Sequence, residues 1–431
     1  MYKKGRIKLG NINKISLFDN INLYIIKDSK YKTVHYSMFL HTILERKDVT
    51  RNSLLSRVLK SATKNYPSMR DLSVYAESLF GCSFDAGIIK RANIQSIYSS
   101  ANIVADKFTK AKSELEAAQL MLDIMFDPFV CNGGFSNDII DSQKSNLKDD
   151  IEGLINDKRA YANVRCIEEM CKGEPNAVIE IGYLEDLPDI NEKNLYEHYK
   201  SIIFSNPIDI FVVGDVESDE LEKFFKKYFS KFTFNITSHN IICTSKTCDE
   251  PKYVEDNLDV NQGKLALGFR TGINVESDLY YPLLVGNSIF GSGAHSKLFN
   301  NVREKMSLCY YAYSRLDKHN AIMLVGSGIE FENFEKTKNA VIEELKKVQK
   351  GDFTDEELEV AKEYIINSYK SYEDSPGLLV DYYLGKTFTP GLPALDEACN
   401  IVSNVSREDV LKSFEKISLD TVYFLNGREE K

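Results

Sequence analysis

Two copies of one unit follow each other in this chain of 431 residues. At an offset of 226 residues Leu72 falls on Leu298, and apolar positions keep matching apolar positions over a long stretch without gaps. After a short insertion the offset drops to 218, where Phe135 falls on Phe353. Self-similarity at a fixed spacing is the mark of a repeated structural unit. Both halves must therefore adopt the same architecture.

Each copy combines strands and helices. From Val34 to Leu40 every second residue is apolar, which predicts a strand with one apolar face. Leu54 to Ala62 carry apolar residues at helical spacing, and Ser68 is the predicted N-cap of a second helix. Two further strands and two long helices follow, and a helix around Leu195 and a strand from Ile208 to Val213 close the copy. This order predicts the α+β class, with a mostly antiparallel sheet and helices packed on one face.

A polar segment separates the two copies. Residues 234–252 lack helical periodicity and are rich in Asn, Ser and Thr, which is typical of a linker. We therefore predict an N-terminal domain over 1–233 and a C-terminal domain over 253–431.

The charge balance excludes one class of partner. The chain has 64 acidic and 54 basic residues and a net charge of −10, the wrong sign for a protein that binds nucleic acid phosphates. No stretch approaches the roughly 18 apolar residues of a membrane span, and the start lacks the apolar core of a secretion signal. We expect no nucleic-acid partner, no membrane insertion and a cytoplasmic location.

Two neighbouring stretches in the second copy carry a family resemblance. They are GSGAHSKLF at 291–299 and NVREKMSLCYY at 301–311. Together they resemble the C-terminal domain of the pitrilysin-type (M16) metallopeptidases. In that family an Arg, and a Tyr seven residues later, reach toward the substrate backbone. The resemblance therefore implies that Arg303 and Tyr310 bind substrate.

A purely structural role for these two residues is the alternative. Arg303 would then pair with Glu304 or Glu332, and Tyr310 would lie in the core of a strand.

The first copy lacks the motif that the same resemblance implies. Active M16 members hold zinc with H-x-x-E-H on the first helix, and this chain has Ser-Leu-Leu-Ser-Arg there. Ser53 and Arg57 replace the two His, and Ser56 replaces the general base. Serine hydroxyls are poor zinc ligands, and an arginine adds a permanent positive charge. The third ligand falls at Asp149 or Asp150, which is expected either to pair with Arg57 or to stay solvated. We expect no metal and no other cofactor.

The resemblance covers essentially the whole chain and implies a clamshell of two M16-type (LuxS/metallohydrolase-like) domains. The family also binds peptide as an added strand, ahead of a Leu-Asn-Ala segment. This chain has Ser83-Phe84-Asp85-Ala86 there, so Asp85 replaces the Asn. An Asp keeps an acceptor but loses the amide donors, which leaves the docking edge in question.

These features predict the non-catalytic, chamber-forming subunit of a bacterial M16 heterodimer, in which a partner chain supplies the zinc. Its substrate would be a peptide, in degradation or in a maturation pathway. One alternative is a peptide-binding or scaffold protein that forms a homodimer without protease activity. Another is an active metallopeptidase with unusual ligands.

Overall fold

The computed structural model describes residues 7–9, 12–248 and 250–427. The ends of the two predicted domains, 1–6 and 428–431, lie outside the described residues. The chain divides into two compact units, each built from three segments of sequence. Unit 1 is Met1–Glu152, Val178–Ile241 and Ser375–Phe388, and unit 2 is Gly153–Ala177, Ile242–Asp374 and Thr389–Lys431.

Unit 1 contains a seven-stranded sheet and a small two-stranded one. The strands are β1 Ile7–Leu9, β2 Ile12–Phe18, β3 Ile21–Lys27, β4 Thr33–Ile43, β5 Ser83–Arg91, β6 Ile94–Val104, β7 Val130–Cys131, β8 Gly134–Phe135 and β9 Ile208–Gly214. The large sheet has the order β1-β2-β3-β9-β4-β6-β5, and β7 pairs with β8. Only β3 and β9 run parallel among these pairs. The order leaves β5 at an edge of the sheet.

The helices of unit 1 pack mainly on one face of this sheet. They are α1 Val49–Ser61, α2 Met69–Ser78, α3 Asp106–Thr109, α4 Glu114–Phe126, α5 Asn137–Gly153, α7 Glu192–Ile203, α8 Ser218–Phe229 and α12 Pro376–Phe388, with a 3-10 helix at Leu184–Asp189. Leu54 and Leu55 of α1 are fully buried against Ile97 of β6 and other core residues. As predicted, Ser68 caps α2 by accepting a hydrogen bond from the Asp71 amide.

Unit 2 repeats the same plan. Its strands are β10 Lys252–Leu258, β11 Gly263–Arg270, β12 Tyr311–Asp317, β13 Ile322–Ile329 and β14 Ser418–Gly427, in the order β10-β14-β11-β13-β12. Its helices are α6 Lys158–Met170, α9 Tyr280–Phe290, α10 Phe334–Gln349, α11 Asp355–Tyr372, α13 Leu395–Ser403 and α14 Arg407–Phe414, with a π-helix at Leu298–Lys305 and 3-10 helices at Pro175–Ala177 and Phe331–Asn333. The strand order matches β3-β9-β4-β6-β5 of unit 1, as a duplicated sequence requires.

The predicted linker carries no helix or strand over 234–248, the described part that precedes the turn into β10. Within the described residues, no helix is both long enough and apolar enough to cross a membrane.

One helix from each copy belongs to the unit built mainly by the other copy. Helix α6 comes from the first copy and packs on β11 and β14, whereas α12 comes from the second copy and packs on β9 and β4. The two helices occupy the same place in the repeat, at the offset of 218. The domain boundaries predicted above divide the chain into contiguous halves that follow the sequence repeat. The compact units are defined differently, by contacts, so the predicted boundaries stay a prediction.

The main helices pack on one face of each sheet, as predicted, and the exchanged helix covers a second apolar face. In unit 2, Ala162 and Cys166 of α6 are buried against Ala266 and Tyr423 of the sheet. Gly268 permits this close approach, because a Cβ there would lie 2.6 Å from the Met170 sulfur.

A buried cluster of charges fixes the end of α6 to unit 2. The Arg270 guanidinium lies 2.7 Å from the Glu174 carboxylate and 3.0 Å from that of Asp420, and it donates to the Met170 carbonyl. All three charged residues are buried. Without Glu174, Arg270 would still pair with Asp420, but two of its buried N–H groups would lose their acceptor.

We expect Glu174→Ala to lower the free energy of unfolding by about 2–3 kcal/mol, since two buried donors of Arg270 would lose their acceptor. The matched control is Glu217→Ala, which removes an ion pair of similar length, 2.8 Å to Lys27, between two exposed side chains. That loss should stay below about 1 kcal/mol. Urea unfolding followed by circular dichroism measures both. Equal losses would contradict a stabilising role for the buried cluster.

Candidate functional site

The three residues that replace the zinc motif lie together on one side of α1. Ser53, Ser56 and Arg57 are spaced by three and four positions and therefore share a helix face. Both serines are 1% exposed, and the Ser56 hydroxyl donates to the Ser53 carbonyl at 2.9 Å. The opposite face of α1 carries Leu54 and Leu55 in the core.

Arg57 pairs with Asp150 of α5, one of the two aspartates predicted at the third ligand position. Arg57 Nη2 lies 2.7 Å from Asp150 Oδ2. A guanidinium therefore approaches the carboxylate where the family resemblance implies a cation. Hydroxyls and a guanidinium do not fit zinc, which takes Cys, His or carboxylate ligands. Across the parts of the chain that the structure describes, no group of three His, Cys, Asp or Glu side chains is arranged to hold a metal ion.

An open cleft of about 440 Å³ runs along this face of α1. It lies between α1, the edge strand β5 and the segment containing Glu180 and Ile181. Its walls include the side chains of Ser53, Ser56, Arg57, Lys60, Ser61, Met69, Ile88, Tyr98, Gln143, Glu180 and Ile181. The cleft thus combines hydroxyls and cations with a few apolar groups, beside strand edge β5.

Asp85, which replaces the family's Asn, belongs to a small network on β5. It accepts hydrogen bonds from the Lys60 ammonium at 2.6 Å and the Tyr98 hydroxyl at 2.9 Å. Burial alone would raise the pKa of the Asp85 carboxyl, but these two hydrogen bonds outweigh it and leave the pKa below its ordinary value. Burial, together with the contact to Asp85, raises the pKa of Tyr98 to about 12. The aspartate is therefore ionised and the phenol neutral at neutral pH.

A buried polar network holds α1 and the Glu180 segment in place. Asn52 donates to Gln95 at 2.9 Å and contacts the His198 ring nitrogen at 2.7 Å, while Gln95 donates to the Glu180 carbonyl at 2.8 Å. None of these residues was predicted from the sequence, because a Gln in a strand ordinarily has an outward side chain and Gln95 carries no local signal of burial.

Arg303 and Tyr310 lie in unit 2, at the end of the π-helix and just before β12. Arg303 is 3.4 Å from Glu304, and its guanidinium lies 4.5 Å from the Phe299 ring centre. The Tyr310 side chain is 56% exposed and its hydroxyl donates to Glu330. That contact raises the pKa of Tyr310, so the hydroxyl keeps its proton at neutral pH.

The contact expected for a purely structural role is present for one residue only. Arg303 does pair with Glu304, but Tyr310 is a surface residue and does not lie in a strand core. Its hydroxyl donates its one proton to Glu330.

The glycine-rich stretch before the π-helix has a packing role. A Cβ at Gly291 would lie 2.5 Å from the Ser314 hydroxyl, and the Gly291 carbonyl accepts a hydrogen bond from the Ser314 amide at 2.9 Å. These contacts hold the stretch before the π-helix against β12. They therefore help to position the π-helix, which carries Arg303.

Comparisons with known proteins give a consistent family placement. A family model described as "Peptidase M16 inactive domain" matches residues 189–365. The chain is 35% identical over 414 residues to "Probable inactive metalloprotease YmfF" of Bacillus subtilis, which covers 95% of this chain and 96% of that protein.

Two solved structures share the fold over nearly the full length. A conserved protein from Enterococcus faecalis has a TM-score of 0.90 at 28% identity, covering 98% of this chain and 100% of the other. A "peptidase M16 inactive domain" from Pseudomonas fluorescens has a TM-score of 0.80 at 16% identity, covering 98% and 99%. These similarities confirm the predicted α+β fold. The descriptions of the family model and the Bacillus protein also agree with the predicted loss of peptidase activity.

We expect the purified chain to retain less than about 0.1 equivalent of zinc after dialysis, because Ser53, Ser56 and Arg57 offer no suitable ligands. Elemental analysis by mass spectrometry measures this. Asp150→Ala should leave the zinc content unchanged, since Asp150 pairs with Arg57. About one equivalent of zinc in the wild-type chain, lost on chelation, would refute the assignment of a disabled site.

His35 of β4 gives unit 1 a predictable dependence on pH. Burial lowers the pKa of His35 to about 4, whereas an unfolded His titrates near 6.5. Between these values the unfolded state binds more protons, so stability falls as the pH falls from about 6.5 to 4. His35 is half-buried, and solvent screening reduces the effect. We therefore expect the free energy of unfolding to fall by about 2 kcal/mol over this pH range.

His35→Gln should remove this part of the pH dependence of stability, because Gln does not titrate. Carboxylates that titrate in the same range are present in both proteins and cancel when the two are compared. Urea unfolding at several pH values measures it. Identical slopes for wild type and variant would contradict the assignment.

Proposed function

Because the chain belongs to the M16 peptidase family, we propose that it is the non-catalytic, peptide-binding subunit of a zinc peptidase of this family. The observation that carries the proposal is the Arg57–Asp150 ion pair of 2.7 Å, formed by residues at the positions where the family resemblance implies metal ligands. A zinc peptidase needs a cation to activate water and a base to take its proton. Ser53, Ser56 and Arg57 supply neither.

The residues for holding a peptide nevertheless remain available. Tyr310 presents an exposed side chain whose protonated hydroxyl would turn from Glu330 to a ligand, and Arg303 presents a side chain that is 37% exposed. Such groups can donate hydrogen bonds to a peptide carbonyl or to a developing oxyanion. Their preservation in a chain without metal ligands supports a role in a shared active site.

The edge of β5 offers a second means of holding a peptide. It pairs with β6 on one side only within the described sheet. An extended peptide can add to such an edge through its main chain, and side-chain pockets then give selectivity. The cleft beside β5 would supply such a pocket.

Under this proposal a partner chain with an intact H-x-x-E-H motif supplies the zinc and the general base. This chain contributes Arg303, Tyr310 and part of the peptide-binding surface. A peptide-binding homodimer would use the same β5 edge without a zinc subunit, so the two functions differ in whether cleavage requires that partner.

The test is reconstitution with a zinc-motif M16 protein encoded in the same genome. Neither chain alone should cleave a mixture of peptides, and the pair should do so. Arg303→Met and Tyr310→Phe should each lower kcat/KM of the pair by about 10- to 100-fold, since each removes a hydrogen bond at the reacting group. Cleavage assays measure the rates and size-exclusion chromatography measures assembly.

Matched controls come from the same unit. Lys305→Met removes another cation of the π-helix, one that donates to Asn301, and Tyr253→Phe removes the hydroxyl of another exposed tyrosine. Both should leave the rate of the pair unchanged. Full activity of the Arg303 and Tyr310 variants would remove their assigned role, and failure of every zinc-motif partner to associate would favour the homodimer.

A further inference from the structure

The ion pair between Lys60 and Asp85 joins residues on opposite faces of the sheet, across the unpaired edge of β5. Arg91, six residues from Asp85 along β5, bonds to Asp381 of α12, so both residues lie on the α12 face of the sheet. Lys60 belongs to α1, which packs on the opposite face beside Ala86. Its side chain can reach Asp85 at 2.6 Å only by crossing the strand edge. A strand that adds to β5 therefore meets the Lys60 ammonium.

The walls of the cleft on the α1 side carry more cations than carboxylates. Its walls contain two cations, Arg57 and Lys60, and one carboxylate, Glu180. Asp85 and Asp150, which pair with the two cations, do not line the cleft. Arg57 contacts Asp150 through one terminal nitrogen, and Lys60 contacts Asp85 through one interaction. An ammonium has three donors and a guanidinium five, so each cation keeps donors for a ligand.

Strand geometry determines which part of a peptide enters this cleft. Alternate side chains of a strand point to opposite faces of a sheet. A peptide added to β5 therefore directs every second side chain toward α1, above Ser53 and Ser56. A side chain of moderate length that ends in a carboxylate matches the Arg57 and Lys60 side chains in charge and in hydrogen bonding.

We infer that the cleft between α1 and β5 is a subsite for an acidic side chain of a peptide bound as an added strand, and that Arg57 and Lys60 recognise its carboxylate. This inference rests on the proposed function, because it assumes that peptides bind at β5. It adds the chemical class of the peptide. The preference is local, since the chain as a whole carries a net charge of −10.

The test compares two capped peptides of about nine residues, the length of β5. Both are rich in Thr and Val, and they differ only in a central Glu or Gln. Fluorescence anisotropy of the labelled peptides measures their dissociation constants for the full-length chain. We expect the Glu peptide to bind about fivefold more tightly or better, as for one partly exposed ion pair. Raising the salt concentration should reduce this ratio.

Arg57→Gln and Lys60→Gln should each bring the ratio of the two constants close to one. The matched control is Lys107→Gln, which removes a lysine of similar exposure that lies 2.7 Å from Asp215, and it should keep the wild-type ratio. Thermal unfolding verifies that each variant is folded. If Lys60→Gln is folded and Arg57→Gln is not, the Lys60 variant decides.

Equal binding of the Glu and Gln peptides by the wild-type chain would overturn the acidic subsite but leave strand addition, and with it the proposed function, intact. No binding of either peptide would also overturn the subsite. The proposed function would then depend on the reconstitution assay, which uses other variants and another readout.

Discussion

The need to cover two apolar faces of each sheet governs the arrangement of this chain. The main helices bury one face, and the second face also carries core residues such as Ala266 and Tyr423. Burying an apolar side chain stabilises a protein by about 1.5–3 kcal/mol, so an uncovered face would be costly. Helix α6 closes this face in unit 2, and Gly268 and Arg270 fix it there. Helix α12 serves the same purpose in unit 1.

The position where the family resemblance implies zinc does not require a metal for its structure. Leu54 and Leu55 bury the inner face of α1, and Asn52 and Gln95 hold its start through hydrogen bonds. The Arg57–Asp150 pair is partly exposed, and pairs of this kind contribute about 0–1 kcal/mol. Apolar packing and a buried polar network thus hold the walls of the cleft in place. Its lining could change from metal ligands to hydroxyls and a guanidinium without loss of the fold.

Much of the fold could be predicted from local pattern. The repeat, the strand around Val34 to Leu40, helix α1 and the cap at Ser68 all follow from periodicity and residue type, which act over a few residues. The exchange of α6 and α12 could not be predicted, because an amphipathic helix does not reveal which sheet it covers. The cleft depends on such long-range contacts as well. Lys60 reaches Asp85 only because β5 is an edge strand, and that follows from the sheet order and not from spacing.

The exchanged helices bear on how such a chain could be divided or recombined. A cut between the two copies, near residue 240, would give two fragments of which each carries one helix that the other requires. Either fragment alone would expose a broad apolar sheet surface and would be prone to aggregate. Because each copy supplies a helix to the sheet of the other, the two copies depend on each other for folding. Selection would therefore retain both copies together in one reading frame.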